Sequence, residues 1–235
     1  IQVNQALELR QQALEGLAFQ LTDGQRLLPK HALQAVLERQ SSVNQYFRAG
    51  LLVFDENGVA IAENRFVPGR LGTNYSDRQH FRKAITKKIP VISRPVIGRT
   101  TGLPLLSFLS PVWSQDGEVL GFAGGIVNLQ AASILPQPSI DDADVIFNVL
   151  DTESFILVDS LESDPPMPPL PEPGENPLID AALSGISSGV VEDRSGKRWV
   201  YATQDLQRVG WKFLRAVPYA DVTQPARAAF TQFLT

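Results

Sequence analysis

The chain has 235 residues, 43% hydrophobic and 20% charged, with a formal net charge of −4. Such a length buries one large core or two small ones, while the acidic balance argues against a nucleic-acid partner, which needs a basic face. With no cysteine and only His31 and His80 as histidines, disulfides, thiolate chemistry and histidine-rich metal sites are excluded.

No run approaches the ~20 apolar residues of a membrane helix. The chain starts at Ile1 without a signal-peptide pattern, so a fragment or processed product is expected. Residues 1–22 read as an amphipathic helix: Leu7, Leu14 and Leu21 recur every seven residues, and Leu17 and Ala18 complete the stripe. With no module of its own to cover, this stripe is expected in a homodimer interface; the same chain's first module is the alternative partner surface. Asp23-Gly24 interrupts the pattern, and a second helix is predicted over 29–47 with Pro29 in its first turn.

From Ala49 the period shortens. "LLVFDENGVAIAEN" reads as a hairpin, and "SDRQHFRKAITKK" as a helix with Ser76 or Asp77 as N-cap. Strands follow at 91–97, 105–113 and 118–129, joined by the turn-rich "RTTGLP" and "SQDG". The same order then returns: strand, acidic turn and strand over 145–160, a short helix near 176–183, and strands near 189–193, 198–205 and 211–217. Two copies of one small α/β module, joined near Pro136-Gln-Pro138, account for this better than one sheet. "DPPMPPLPEPGENP" (164–177) reads as an extended surface loop of the second copy rather than a polyproline ligand. A helix over about 221–234 ends the chain.

Catalytic motifs are weak. "GISSG" around Ser187 matches the nucleophile elbow, but a helix precedes it, a strand follows, and no histidine lies after it. "GFAGG" (121–125) falls inside a strand, where glycine marks close backbone approach. Asp55, Glu56, Asp116, Asp151 and Glu153 fall in turns, which explains them better than acid–base work. No catalysis and no cofactor are expected.

"YSDRQHFRKA" is more informative. On a helix Arg78 and Phe81 share a face, with Tyr75 three residues before. Either the arginine snorkels over an aromatic core edge, or it pairs with a carboxylate in a pocket from which the rings exclude water.

The stretch from "DRQHF" through "VISRPVIGRTTGLPLLSFLSPVWSQDGEVLGFAGGIVNL" resembles a double-Cache sensor domain. It is most similar to those preceding GGDEF-type diguanylate cyclases; histidine kinases and chemoreceptors carry such domains too. The resemblance implies an α/β fold of tandem Cache (PAS-like) modules, each an antiparallel sheet with flanking helices, on a long N-terminal helix. It further implies an N-terminal helical segment (1–48), a membrane-distal ligand-binding module (49–135), a membrane-proximal module (136–218) and a helix towards the membrane (219–235). The expected place is the bacterial inner membrane, with the domain facing the periplasm and the output module c-di-GMP-forming.

Departures from the amino-acid-binding relatives narrow the ligand. Their R-x-W-Y helix pattern reads Arg78, His80, Phe81 here; their Tyr-x-Asp positions are Val96 and Gly98, and their ammonium-binding aspartate is Ile126. The arginine for a carboxylate remains without acidic partners for an amine, so a small carboxylate or other anion is expected. Along an extended strand Arg94 shares a face with Val96 and Gly98, so Arg94 is expected in the pocket and Arg99 outside it. Arg78 and Arg94 would hold the anion, with Tyr75, His80, Phe81 and Ser107 lining the site. A ligand-free dimerisation scaffold and a secreted hydrolase are the rivals.

Overall fold

Buried positions three to four residues apart, Val3, Leu7, Gln11, Leu14 and Ala18, mark residues Gln2–Ala18 as helix α1. The structure is a computed structural model that describes residues 2–131, 134–135 and 145–222. The chain divides into two compact units, Ile1–Ile134 and Leu135–Thr235. In the first, α1 is followed by α2 (Lys30–Arg39), α3 (Ser41–Tyr46), β1 (Gly50–Asp55), β2 (Ala60–Glu63) and α4 (Gln79–Lys87). Strands β3 (Val91–Ile92), β4 (Val96–Ile97), β5 (Pro104–Trp113) and β6 (Val119–Asn128) complete it. The second unit holds β7 (Ile146–Asp151), β8 (Ile156–Leu157), α5 (Pro177–Leu183), β9 (Ser188–Glu192), β10 (Arg198–Leu206) and β11 (Trp211–Pro218).

Each unit builds one antiparallel sheet, ordered β2-β1-β6-β5-β3 in the first, where β4 also pairs with β5, and β8-β7-β11-β10-β9 in the second. The orders correspond strand for strand: the opening hairpin pairs through its first strand with the last strand of its unit. This is the tandem arrangement that the repeated sequence pattern predicts. The opening hairpins even share their turn chemistry. Asp55 Oδ1 accepts from the Asn57 and Val59 amides, and Asp151 Oδ1 from those of Glu153 and Ser154, so both carboxylates hold Asx turns.

The first sheet is covered on both faces, which is why β5 is buried at every position except Trp113. Helix α1 packs on β5 and β6, with Leu7, Leu14, Leu17 and Leu21 each 0% exposed. The expectation of a dimer interface for this stripe is corrected: the sheet of its own chain already buries it. On the other face Leu52, Phe54, Leu109 and Phe122 meet Phe81 and Ala84 of α4. Adjacent glycines of β6 serve the two faces in turn. A Cβ at Gly124 would come within 2.4 Å of the Phe54 ring, and one at Gly125 within 2.5 Å of Phe47. The "GFAGG" run thus admits aromatic rings from both sides.

Several boundaries differ from the sequence expectation. The helix predicted over 29–47 is two helices, broken at Gln40 (φ −82°, ψ 60°), with Pro29 as N-cap of the first. Helix α4 begins one residue after Arg78, which occupies the N-cap position without a side-chain cap bond; Asp77 is engaged by Arg99 instead. The strand predicted over 91–97 is split into β3 and β4 by Ser93-Arg94-Pro95. Pro95 has no N–H for the ladder, and the Ser93 hydroxyl accepts the Ser107 amide at 2.8 Å in place of a backbone carbonyl. Helix α5 follows its sequence signals: Asn176 Oδ1 accepts from the Leu178 and Ile179 amides, with Pro177 at the first helical position. The expected linker at 136–138 lies outside the described residues. So does most of the terminal helix, of which residues 219–222 are helical.

Candidate functional site

On the α4 side of the first sheet lies a cleft of about 530 Å3, its open mouth included. Leu52 and Phe54 of β1, Ile126 of β6, and Leu105 and Ser107 of β5 form its floor. Tyr75, Arg78, His80 and Phe81 form one wall, and the segment from Val96 to Thr101 forms the other. Arg70, from the loop between β2 and α4, also lines it.

The aromatic part of the wall is a packed cluster. The Phe54 and Phe81 rings meet edge-on at 4.7 Å, Phe54 and Tyr75 edge-on at 5.7 Å, and Tyr75 stacks on Phe81 at 5.9 Å. Phe81 is buried by the hydrophobic spacing of α4, while Tyr75 stays half-buried at the mouth. These rings keep water from one side of anything bound and lower the local dielectric, which strengthens charge recognition.

Among the described residues, three arginines line the cleft and no carboxylate does. Arg99 bridges the mouth: it pairs with Asp77, donates to the Asn74 carbonyl at 2.9 Å and lies over the Tyr75 ring at 5.4 Å. That pairing holds the Asp77 carboxyl below its ordinary range. Arg70 Nη1 pairs with Glu63 Oε2 at 3.3 Å, both side chains almost wholly buried. Arg78 differs from both. Its side chain makes one hydrogen bond among the described residues, from Nη2 to the Ile97 carbonyl at 3.4 Å, and it has no carboxylate partner there. A guanidinium left without a counter-ion beside apolar rings is a seat for an anion.

Burial pushes the His80 pKa down from 6.5 to about 4, with the Arg78 charge adding to the shift and Asp77 opposing it. The imidazole is therefore neutral at neutral pH, able to donate from one nitrogen and accept at the other. As pH falls from about 6.5 towards 4, the unfolded chain binds a proton at His80 that the folded chain refuses, so stability decreases through that window. The loss attributable to this residue reaches about 2–3 kcal/mol near pH 4.5. Urea midpoints measured from pH 7 to about 4.5 are expected to fall more steeply for the wild type than for His80→Gln. Parallel slopes would show that His80 is not held neutral.

Of the residues expected in the site, Tyr75, Arg78, His80, Phe81 and Ser107 come together on this cleft, as do the departure positions Val96, Gly98 and Ile126. Arg94 does not line it, and that expectation is corrected. The two-residue alternation that linked Arg94 to Val96 requires one continuous strand, and Pro95 breaks it. Arg99, expected outside, takes the place at the mouth because the turn after β4 carries it back over Tyr75. Arg70 has no local sequence signal; a loop arginine is seen to face a cavity only once Glu63, seven residues earlier, is placed beneath it.

Elsewhere, Ser187 is exposed in the turn between α5 and β9, where its carbonyl accepts the Thr203 amide at 2.7 Å. Among the described residues no cluster of His, Cys, Asp and Glu is suited to hold a metal, and no helix is long and apolar enough to cross a membrane.

No protein-family model matches the chain, and no curated protein matches it in sequence. Solved structures do match. The extracellular ligand-binding receptor from Desulfohalobium retbaense DSM5692 superposes with a TM-score of 0.63 at 17% identity over 91% of this chain, which spans 38% of that one. The ligand-binding domain of the Pseudomonas aeruginosa PAO1 amino acid chemoreceptor PctB, in complex with L-Arg, gives 0.69 at 17% identity, covering 94% of this chain and 91% of that one. That of the amino acid chemoreceptor PctC from the same organism, in complex with GABA, gives 0.64 at 19% identity and 92% of each chain. At such identities the likeness is one of fold: two α/β modules in tandem, each an antiparallel sheet with flanking helices, as in Cache-type ligand-binding domains.

Proposed function

We propose that this chain is the ligand-sensing region of a bacterial transmembrane receptor. In this reading it faces the periplasm from the inner membrane and binds a small carboxylate or similar anion in its first, membrane-distal unit. The observation that carries the reading is the cleft itself, where aromatic rings and three arginines converge and Arg78 has no carboxylate partner among the described residues. Support for a sensor comes from the fold shared with structures named as ligand-binding domains of receptors.

The chemoreceptor domains named above were solved with amino acids. An α-ammonium needs an acidic partner or a cage of carbonyls, and the positions that carry aspartates in such relatives are Gly98 and Ile126 here, both on the cleft. An anion without an amine is therefore the better fit. The domain has no catalysis of its own, and the full receptor acts as a homodimer. The likeness of residues 77–129 to sensors ahead of GGDEF modules favours a diguanylate cyclase as output. The chemoreceptor neighbours favour a chemoreceptor as the second reading.

A thermal-shift screen of organic acids against amino acids tests the ligand class. A ligand of the native state at a hundred times its dissociation constant adds about 2.7 kcal/mol, which raises Tm by several degrees in a chain of this size. Shifts are expected with small carboxylates and not with amino acids. Shifts with amino acids alone would overturn the reading.

A further inference from the structure

Arg70 is the most enclosed charge on the cleft, 4% exposed, and its arrangement has the character of a prepared donor. Nη1 donates to Glu63 Oε2 at 3.3 Å and to the Arg65 carbonyl at 3.5 Å. Glu63 is fixed in turn, its Oε1 accepting the Val67 amide at 3.1 Å. Below the guanidinium lies Gly50, φ +133°, where a Cβ would come within 3.2 Å of Nη1. The head group thus rests on bare backbone at the start of β1. Nε and Nη2 find no acceptor among the described residues. Arg70 lines the cleft, so these donors belong to a side chain that reaches it. Across the sheet Gly50 pairs with Ile126, and Ile126 with Ser107. The Ser107 side chain, on a residue 6% exposed, makes no hydrogen bond among the described residues.

Resting on the anion-site reading above, we infer that Arg70 is a specificity-determining residue. The cleft takes a monocarboxylate bearing a second, uncharged oxygen, that is, a small hydroxy or oxo acid. Charge decides between this and a dicarboxylate. Of the three arginines on the cleft, Arg70 is matched by Glu63 and Arg99 by Asp77, which leaves the single positive charge of Arg78 for one carboxylate. A second carboxylate at Arg70 would be desolvated beside Glu63, and like charges so placed repel strongly. A hydroxyl or carbonyl oxygen accepts the free N–H groups of Arg70 without that penalty. A plain acid leaves those buried donors unpaired, and such sites discriminate strongly against the analogue that lacks the oxygen.

Isothermal titration of the chain with size-matched acids tests this: propionate, lactate, pyruvate and malonate, then butyrate, 3-hydroxybutyrate and succinate. In at least one series the hydroxy or oxo acid is expected to bind about tenfold or more tighter than both the plain acid and the diacid. In the double variant Glu63→Gln with Arg70→Gln, which leaves no lone buried charge, that preference should collapse to within about twofold. Should the double variant not fold, Arg70→Lys keeps the charge, removes the planar fork, and is expected to give the same collapse. Tightest binding by the diacids, no preference for the hydroxy or oxo acids, or a preference that survives either variant, overturns the role of Arg70 while leaving the anion site standing. Absence of binding by every acid removes the anion site, and this inference with it.

Discussion

Leu14→Glu is expected to unfold the first unit rather than to dissociate a dimer. Leu14 is 0% exposed within the single chain, on the face of α1 that packs against β5 and β6. The substitution forfeits the burial of a leucine, roughly 1.5–3 kcal/mol. It also places a carboxylate at a fully buried position, which costs several kcal/mol more or forces the acid to protonate. The sum, above about 5 kcal/mol, rivals the whole stability of a typical domain. Urea unfolding followed by circular dichroism should show the variant without the cooperative transition of the first unit at neutral pH. A variant that stays folded within about 1 kcal/mol of the wild type, far below that loss, would mean that α1 is not held as described. Any homodimer must accordingly use a surface other than the leucine stripe.

Arg78→Ala has the opposite profile: a large loss of ligand response with little loss of fold. Arg78 is half-buried, and among the described residues its side chain makes one long hydrogen bond, to the Ile97 carbonyl, and no ion pair. Its removal should lower stability by no more than about 1 kcal/mol. If it holds the ligand carboxylate in a partly desolvated cleft, affinity should fall by about 2–5 kcal/mol, roughly 30- to 5,000-fold in Kd. Titration of the best organic acid, run beside an unfolding curve for each protein, separates the two effects. Affinity unchanged in the variant would remove Arg78 from the site, and a stability loss above about 3 kcal/mol would make it a structural residue.

Much of the architecture was legible in the sequence because it depends on local pattern. Apolar segments on either side of Asp-Glu-Asn-Gly specify the first hairpin, and the same form around Asp151 specifies its counterpart. The return of that order revealed the duplication that the two sheets display. The aromatic and arginine face of the α4 segment was legible for a similar reason: residues a few positions apart are brought together by the local backbone, so Tyr75, Arg78 and Phe81 reach one cleft even though α4 begins later than expected.

Tertiary structure alone decided the rest. The leucine stripe of α1 reads the same whether a partner or the chain's own sheet covers it; only the position of β5 and β6 selects the latter. Arg94 and Arg99 were separable only by knowing that Pro95 interrupts the ladder and that the following turn folds back over Tyr75. Arg70 was invisible for a deeper reason. Its role depends on Glu63 from the end of β2, on the bare backbone of Gly50 at the start of β1, and on the register that sets Gly50 beside Ile126 and Ile126 beside Ser107. Periodicity reports which face a side chain takes on its own element. Which charge that face meets is set by strand pairing over long sequence separations, and no local pattern encodes it.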